Sequence, residues 1–227
     1  MDIGPEIVLL HGGTFRMGKD GSRADESPAH VVTVDAFAVA ISPVTNLEYD
    51  RYVAATGKAP SPFLAEARFA GPGQPVVGIN WFEALGYCDW LSSEIGLHYR
   101  LPTEAEREFA ARGGLNGDWP WDSDNAEFVA ALNAFDAPHE PEPRCANNYG
   151  LRCMAENVHE WCSDWYSPGY YALSPAANPT GPASGNRRVA RGGAWRHKDK
   201  VTRVNARSSL DPTFHYSDFG FRVYGDA

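Results

Sequence analysis

The chain has 227 residues and a formal net charge of −9, an acidic balance that argues against nucleic acid or an anionic membrane as partner, because phosphate binding draws on a basic stripe to release counterions. With 43 % hydrophobic and 12 % aromatic residues it reads as globular. One domain over 1–227 would bury roughly 70 % of its unfolded surface. The 22 glycines and 17 prolines predict a loop-rich fold, and such folds carry function on their loops.

Residues 7–18 read as two short strands around the Gly12-Gly13 turn, an opening hairpin. The alternation from His30 to Val39 predicts one further strand. Thr45, with Glu48 three residues on, has the spacing of a capping box and opens a helix over 46–56 that stops at Gly57. A Pro/Gly-rich loop over 58–74 leads to a helix over 81–95 ending at Gly96, with Phe82, Leu85, Cys88, Trp90 and Leu91 as its core-facing residues. Thr103 and Glu106 form a second capping box for a short helix to about Arg112, closed by Gly113-Gly114. From Gly117 to Asn148 there is no usable periodicity, which predicts ordered loop. Strands are expected at 187–191 and 219–223.

The blocks Arg100-Leu101-Pro102-Thr103-Glu104-Ala105-Glu106 to Gly113-Gly114, Gly150-Leu151, Glu156-Asn157-Val158-His159-Glu160-Trp161, Arg191-Gly192-Gly193-Ala194-Trp195 and Gly220-Phe221-Arg222 stand in this order along the chain. Together they resemble the formylglycine-generating-enzyme (sulfatase-modifying factor) superfamily from about Leu10 to Val223. The resemblance implies an α+β fold, C-type-lectin-like in its tail, with short strands and few helices. In the family's founding enzyme, two cysteines shortly after the Gly-Gly-Ser-aromatic turn carry copper and the oxidation of a substrate cysteine to formylglycine. Here the corresponding stretch runs from Gly192 to Arg203, and no cysteine follows Cys162. Monovalent copper is held by thiolate or thioether ligands, so a copper-cysteine site is not expected.

The four cysteines, Cys88, Cys145, Cys153 and Cys162, show no metal-binding spacing, and the start shows no basic, apolar leader. These features read as a cytoplasmic protein with reduced thiols. Residues 187–207 hold eight Lys and Arg against one acid, Asp199, a segment able to collect an anionic group.

The resemblance implies structural calcium at two places. One would be held by the position of Cys153, the carbonyls of Glu156 and Val158 and the carboxylate of Glu160, with sulfur at Cys153 where the family offers oxygen. The other would use Asn133 and the carbonyl of Ala134. It also implies a pocket lined by Trp195, Arg196, Arg203, Asn205, Arg207, His215, Tyr216 and Arg222. His197 falls near the first copper cysteine and is the candidate catalytic residue, an imidazole able to bind iron or another transition metal or to move a proton. His159 stands where the family commonly has Trp, and His159, His197 and His215 with a carboxylate would make a two-His-one-carboxylate iron site. Two functions follow. One is a stand-alone, metal-dependent tailoring oxidoreductase acting on a small polar or peptide-linked metabolite. The other is a non-catalytic module that binds a ligand or protein on its lectin-like surface, as the variable display proteins with a similar tail do. Fold analogy carries much of the preference for the first. Oligomeric state is not legible.

Overall fold

The computed structural model describes residues 3–121, 135–197 and 201–227. Among these residues, ten short strands and three α-helices place the chain in the α+β class.

Each helix is set by its ends. Helix α1 (Asn46–Thr56) is capped by Thr45, whose Oγ1 accepts from the Glu48 N–H while the Glu48 carboxylate accepts from the Thr45 N–H at 2.7 Å. Helix α3 (Glu104–Arg112) repeats the device with Thr103 and Glu106, and α2 (Trp81–Ile95) has it with Asn80 and Glu83. Each reciprocal pair satisfies two N–H groups that the first turn leaves without partners. Gly57, Gly96 and Gly113 close the three helices in the left-handed conformation.

The strands depart from local expectation. Strands β1 (Ile7–Leu10) and β2 (Gly13–Met17) do not pair with each other: β1 lies against β4 (Phe37–Ala40) and β2 against β3 (His30–Val34). The expected hairpin is therefore a crossing between two sheets. Gly12, at φ 69°, allows it, since a Cβ there would lie 2.3 Å from the Val34 carbonyl oxygen. The single strand expected over 30–39 is likewise broken between β3 and β4. One four-stranded sheet has the order β1-β4-β10-β5, with β5 at Tyr99–Arg100 and β10 at Tyr224–Asp226. A second has the order β8-β7-β6-β9, built from Arg207–Leu210, Arg188–Arg191, His159–Trp165 and Phe219–Gly220. The closing strand expected over 219–223 is in fact two: β9 runs parallel to β6, then the chain crosses to β10 in the other sheet.

One core lies between α1, α2 and the second sheet, with Tyr49, Tyr52, Tyr87, Leu91, Trp161 and Phe221 buried together. The indole N–H of Trp161 donates to the Ile79 carbonyl and that of Trp81 to the Cys162 carbonyl, both at 2.8 Å. Phe82, expected in this core, is exposed, and Trp81, Ala84 and Tyr87 supply the face instead. A second core joins Phe37, Val39, Leu151, Met154 and Tyr224 to the alanines of α3.

Candidate metal centre at the Gly-Gly-Ala-Trp turn

Strand β6 begins at His159, and β9 runs parallel beside it with His159 opposite Phe219, so Asp218 is delivered next to an imidazole 59 positions earlier in sequence. The His159 N–H donates to the Asp218 carbonyl at 2.9 Å. After β7 the chain turns through Gly192, at φ 80°, and Gly193. Gly193 must lack a side chain: a Cβ there would meet the Ala155 carbonyl oxygen at 2.6 Å and Thr202 at 2.3 Å. That close approach lets the Gly193 N–H reach Ala155 and the Trp195 N–H reach Asn157, at 3.0 and 2.8 Å. The Trp195 indole then donates to the Ser217 carbonyl at 3.1 Å. Three segments are thereby tied into one frame around His197.

Within it His159 Nε2 lies 3.0 Å from His197 Nδ1, and His197 Nε2 lies 3.8 Å from Asp218 Oδ2. One ligand atom from each of the three residues falls within 4.8 Å of the others. Burial, with the neighbouring His197, pushes the His159 imidazole down to about 3. Burial also lowers His197 against the pull of Asp218, and raises Asp218. Both imidazoles are therefore neutral, the form that ligates metal. Asp218 Oδ1 is buried with no hydrogen-bond partner among the described residues, and the Arg196 guanidinium stands 4.0 Å away. A small cavity of about 10 Å³ adjoins the cluster, lined by Trp195, His197 and Thr202 with His139 and Glu156 among the other walls. An open polar cleft of about 740 Å³ elsewhere is lined by residues such as Arg16, Lys19 and Asp118, and shares no lining residue with this cluster.

The other sequence-predicted residues have different fates. The Glu160 carboxylate is paired with two arginines: it accepts from Arg107 Nε at 2.6 Å and from Arg222 Nη2 at 2.8 Å, and all three side chains are sealed from solvent. The Glu156 carbonyl accepts the Val158 N–H at 3.1 Å, and Val158 packs with Phe69 and Val77. Asn133 and Ala134 lie outside the described residues. Arg222 is fully buried where the chain crosses from β9 to β10, and it also donates to the carbonyls of Ala40 and Arg152. Arg207 forms a two-pronged pair with Glu104 at 2.7 and 2.8 Å, and Arg191 pairs with Glu108. Arg203 and Asn205 both bind Glu26 at 2.9 Å. Arg191, Arg203 and Arg207 of the basic segment thus answer buried carboxylates of this chain. His215 is held by Glu83 at 3.1 Å and by Asn80, apart from the other two histidines. Arg196 and Tyr216 remain exposed, and Trp195 is half-buried at the cavity wall.

Asp218 and Arg107 were not among the sequence candidates. Arg107 stands in the Thr103–Arg112 block as a charged residue on the buried face of α3, a signal that was present. Asp218 read only as one polar position of the lectin-like surface, since the parallel β6–β9 pairing is what brings it to His159.

Residues 2–227 match the sulfatase-modifying factor enzyme 1-like domain. The chain belongs to this family. A formylglycine-generating enzyme of Streptomyces coelicolor is 33 % identical over 285 residues, with 97 % of this chain and 89 % of that protein covered. A Chlamydia pneumoniae protein named serine/threonine-protein kinase pkn1 is 35 % identical over 241 residues; the match takes in 96 % of this chain but only 37 % of that relative's length. Among solved structures, PvdO from Pseudomonas aeruginosa superposes with a TM-score of 0.89 at 27 % identity, over all of this chain and 96 % of that one. Treponema denticola variable protein 1 gives 0.84 at 26 %, over 97 % and 95 %. Among the described residues of this family member, no helix is long and apolar enough to cross a membrane.

Proposed function

We propose that this chain is a metal-dependent tailoring oxidoreductase whose metal is held by His159, His197 and Asp218, acting on a small polar or peptide-linked metabolite. One observation carries the reading: two neutral imidazoles and a carboxylate with an unpartnered oxygen converge on one point beside a cavity. Two ligand nitrogens at right angles on an ion at about 2.1 Å stand about 3.0 Å apart. The His159–His197 separation is already 3.0 Å, held by a shared proton that a cation would replace. Two His and one carboxylate suit divalent iron, which when bound supplies one-electron exchange. No cysteine follows Cys162, so the chain's own residues offer nitrogen and oxygen here in place of thiolates. The exposed Arg196 and Tyr216 flank the site and would contact substrate, and Trp195 shields it from water.

Anaerobic titration of the full chain with Fe²⁺, read by metal content after desalting, tests the reading. One equivalent is expected in the parent, with affinity lost in His197→Ala and in Asp218→Asn. Unchanged iron in both variants would overturn it. That result would favour the second reading, a ligand-binding module, which the likeness to the Treponema variable protein supports.

A further inference from the structure

We infer that His139, Cys153 and Glu156 form a second metal site, separate from the His159 cluster, for a borderline divalent cation of the zinc class. One ligand atom from each lies within 4.8 Å of the others, and His139 and Glu156 line the small cavity.

The tautomer of His139 supplies the first argument. Its Nδ1 lies 3.1 Å from the Glu140 carbonyl oxygen, which can only accept, so the neutral ring carries its proton there. Nε2 is left with a bare lone pair, and it is buried with no hydrogen-bond partner among the described residues. A ring nitrogen donating to a backbone carbonyl while the other faces inward is the usual arrangement of a metal-bound histidine.

Glu156 supplies the second. Its Oε2 accepts from the Ala155 N–H at 3.2 Å, but Oε1 is buried and also without a partner among the described residues. Native interiors rarely leave two such atoms side by side, and a shared cation satisfies both. The third argument is the frame. Asn157, buried and at φ 76°, donates to the His139 carbonyl at 2.8 Å and accepts from the His139 N–H at 3.1 Å. Its amide nitrogen also stands 3.5 Å from Cys153 Sγ. One side chain therefore holds the loop of His139 against the loop of Cys153, itself at φ 57°.

The donor set names the ion. Sulfur, nitrogen and oxygen together suit Zn²⁺ and exclude Ca²⁺, which takes oxygen alone. A thiolate and a carboxylate balance the two positive charges. Ligand atoms around tetrahedral zinc stand about 3.4–3.7 Å apart, so a cluster already within 4.8 Å closes by at most about 1 Å on binding. The adjoining cavity, about 10 Å³, has room for a single water as fourth ligand. This inference rests on the two orphaned atoms and stands whether or not iron binds at His159.

Cobalt distinguishes the two sites, because only this one offers sulfur. Chelator-stripped, reduced full-length protein is titrated with Co²⁺ and followed by the near-ultraviolet thiolate-to-cobalt charge-transfer band. The band is expected at one equivalent in the parent and in His197→Ala, bleached by Zn²⁺, absent in Cys153→Ser and weakened at least about tenfold in affinity in His139→Ala. No band in the parent, or one unchanged in Cys153→Ser or His139→Ala, would overturn the assignment. If Cys153→Ser does not fold, His139→Ala decides, since it keeps the thiol and alters a partly exposed side chain.

Discussion

Replacing Glu160 with Gln tests a cluster of charges sealed from solvent. Arg107, Glu160 and Arg222 are all within 1 % of complete burial at their side chains, so solvent neither screens nor rescues them. Burial would raise the carboxylate, but the attraction of the two guanidiniums outweighs it and holds the group below its usual value. In Glu160→Gln the amide keeps one acceptor oxygen but turns an NH₂ toward one of the two arginines. Two cations then face a neutral group in a dry core. Breaking one partner of a buried pair costs about 3–5 kcal/mol. With a urea slope of roughly 3 kcal/mol per molar, the unfolding midpoint should fall by about 1–1.7 M. The assay is equilibrium urea unfolding of parent and variant, each with excess calcium and with chelator. A loss under about 1 kcal/mol would refute the account. So would a stabilisation by calcium added to metal-free protein that the parent shows and Glu160→Gln lacks, since Glu160 would then be holding an ion.

Asp164 is buried and its carboxyl is pushed up to about 8 from 3.8, first by burial and then by the charge of Glu104. The folded state therefore binds a proton that the unfolded state has released, and stability falls as pH rises through that window, by up to about 1.4 kcal/mol per unit. Asp164→Asn should become progressively more stable than the parent from about pH 5 to about pH 8; parallel stability curves would remove Asp164 from the argument. His215 is tied to Glu83 at a half-exposed position, so His215→Ala should cost under about 1 kcal/mol and leave iron stoichiometry unchanged. Loss of iron in that variant would mean that His215 belongs to the centre after all.

What was legible in the sequence follows the range of the interactions concerned. The helix ends at Thr45, Thr103 and Gly113 were readable because a capping box or a left-handed cap is closed within four residues. The box at Asn80 and Glu83 was equally local, though only the helix it opens was read. The ordered blocks around Glu104, Glu160, Gly192 and Phe221 carried the family for the same reason: each is a short run whose residue types stand on the page.

Pairing partners were not readable. Gly12-Gly13 looks like a hairpin turn, and only packing shows that its two strands belong to different sheets. The segment 187–207 looked like a surface for an anion and Arg222 like a pocket wall, yet the carboxylates of Arg191, Arg203, Arg207 and Arg222 lie at Glu108, Glu26, Glu104 and Glu160, far away along the chain. The sequence by itself determined the helices, the family and His197 as a residue able to ligate. Only the tertiary structure decided which charges are buried against each other and that Asp218 joins His159 and His197, because strand pairing and burial depend on residues brought together from distant parts of the chain.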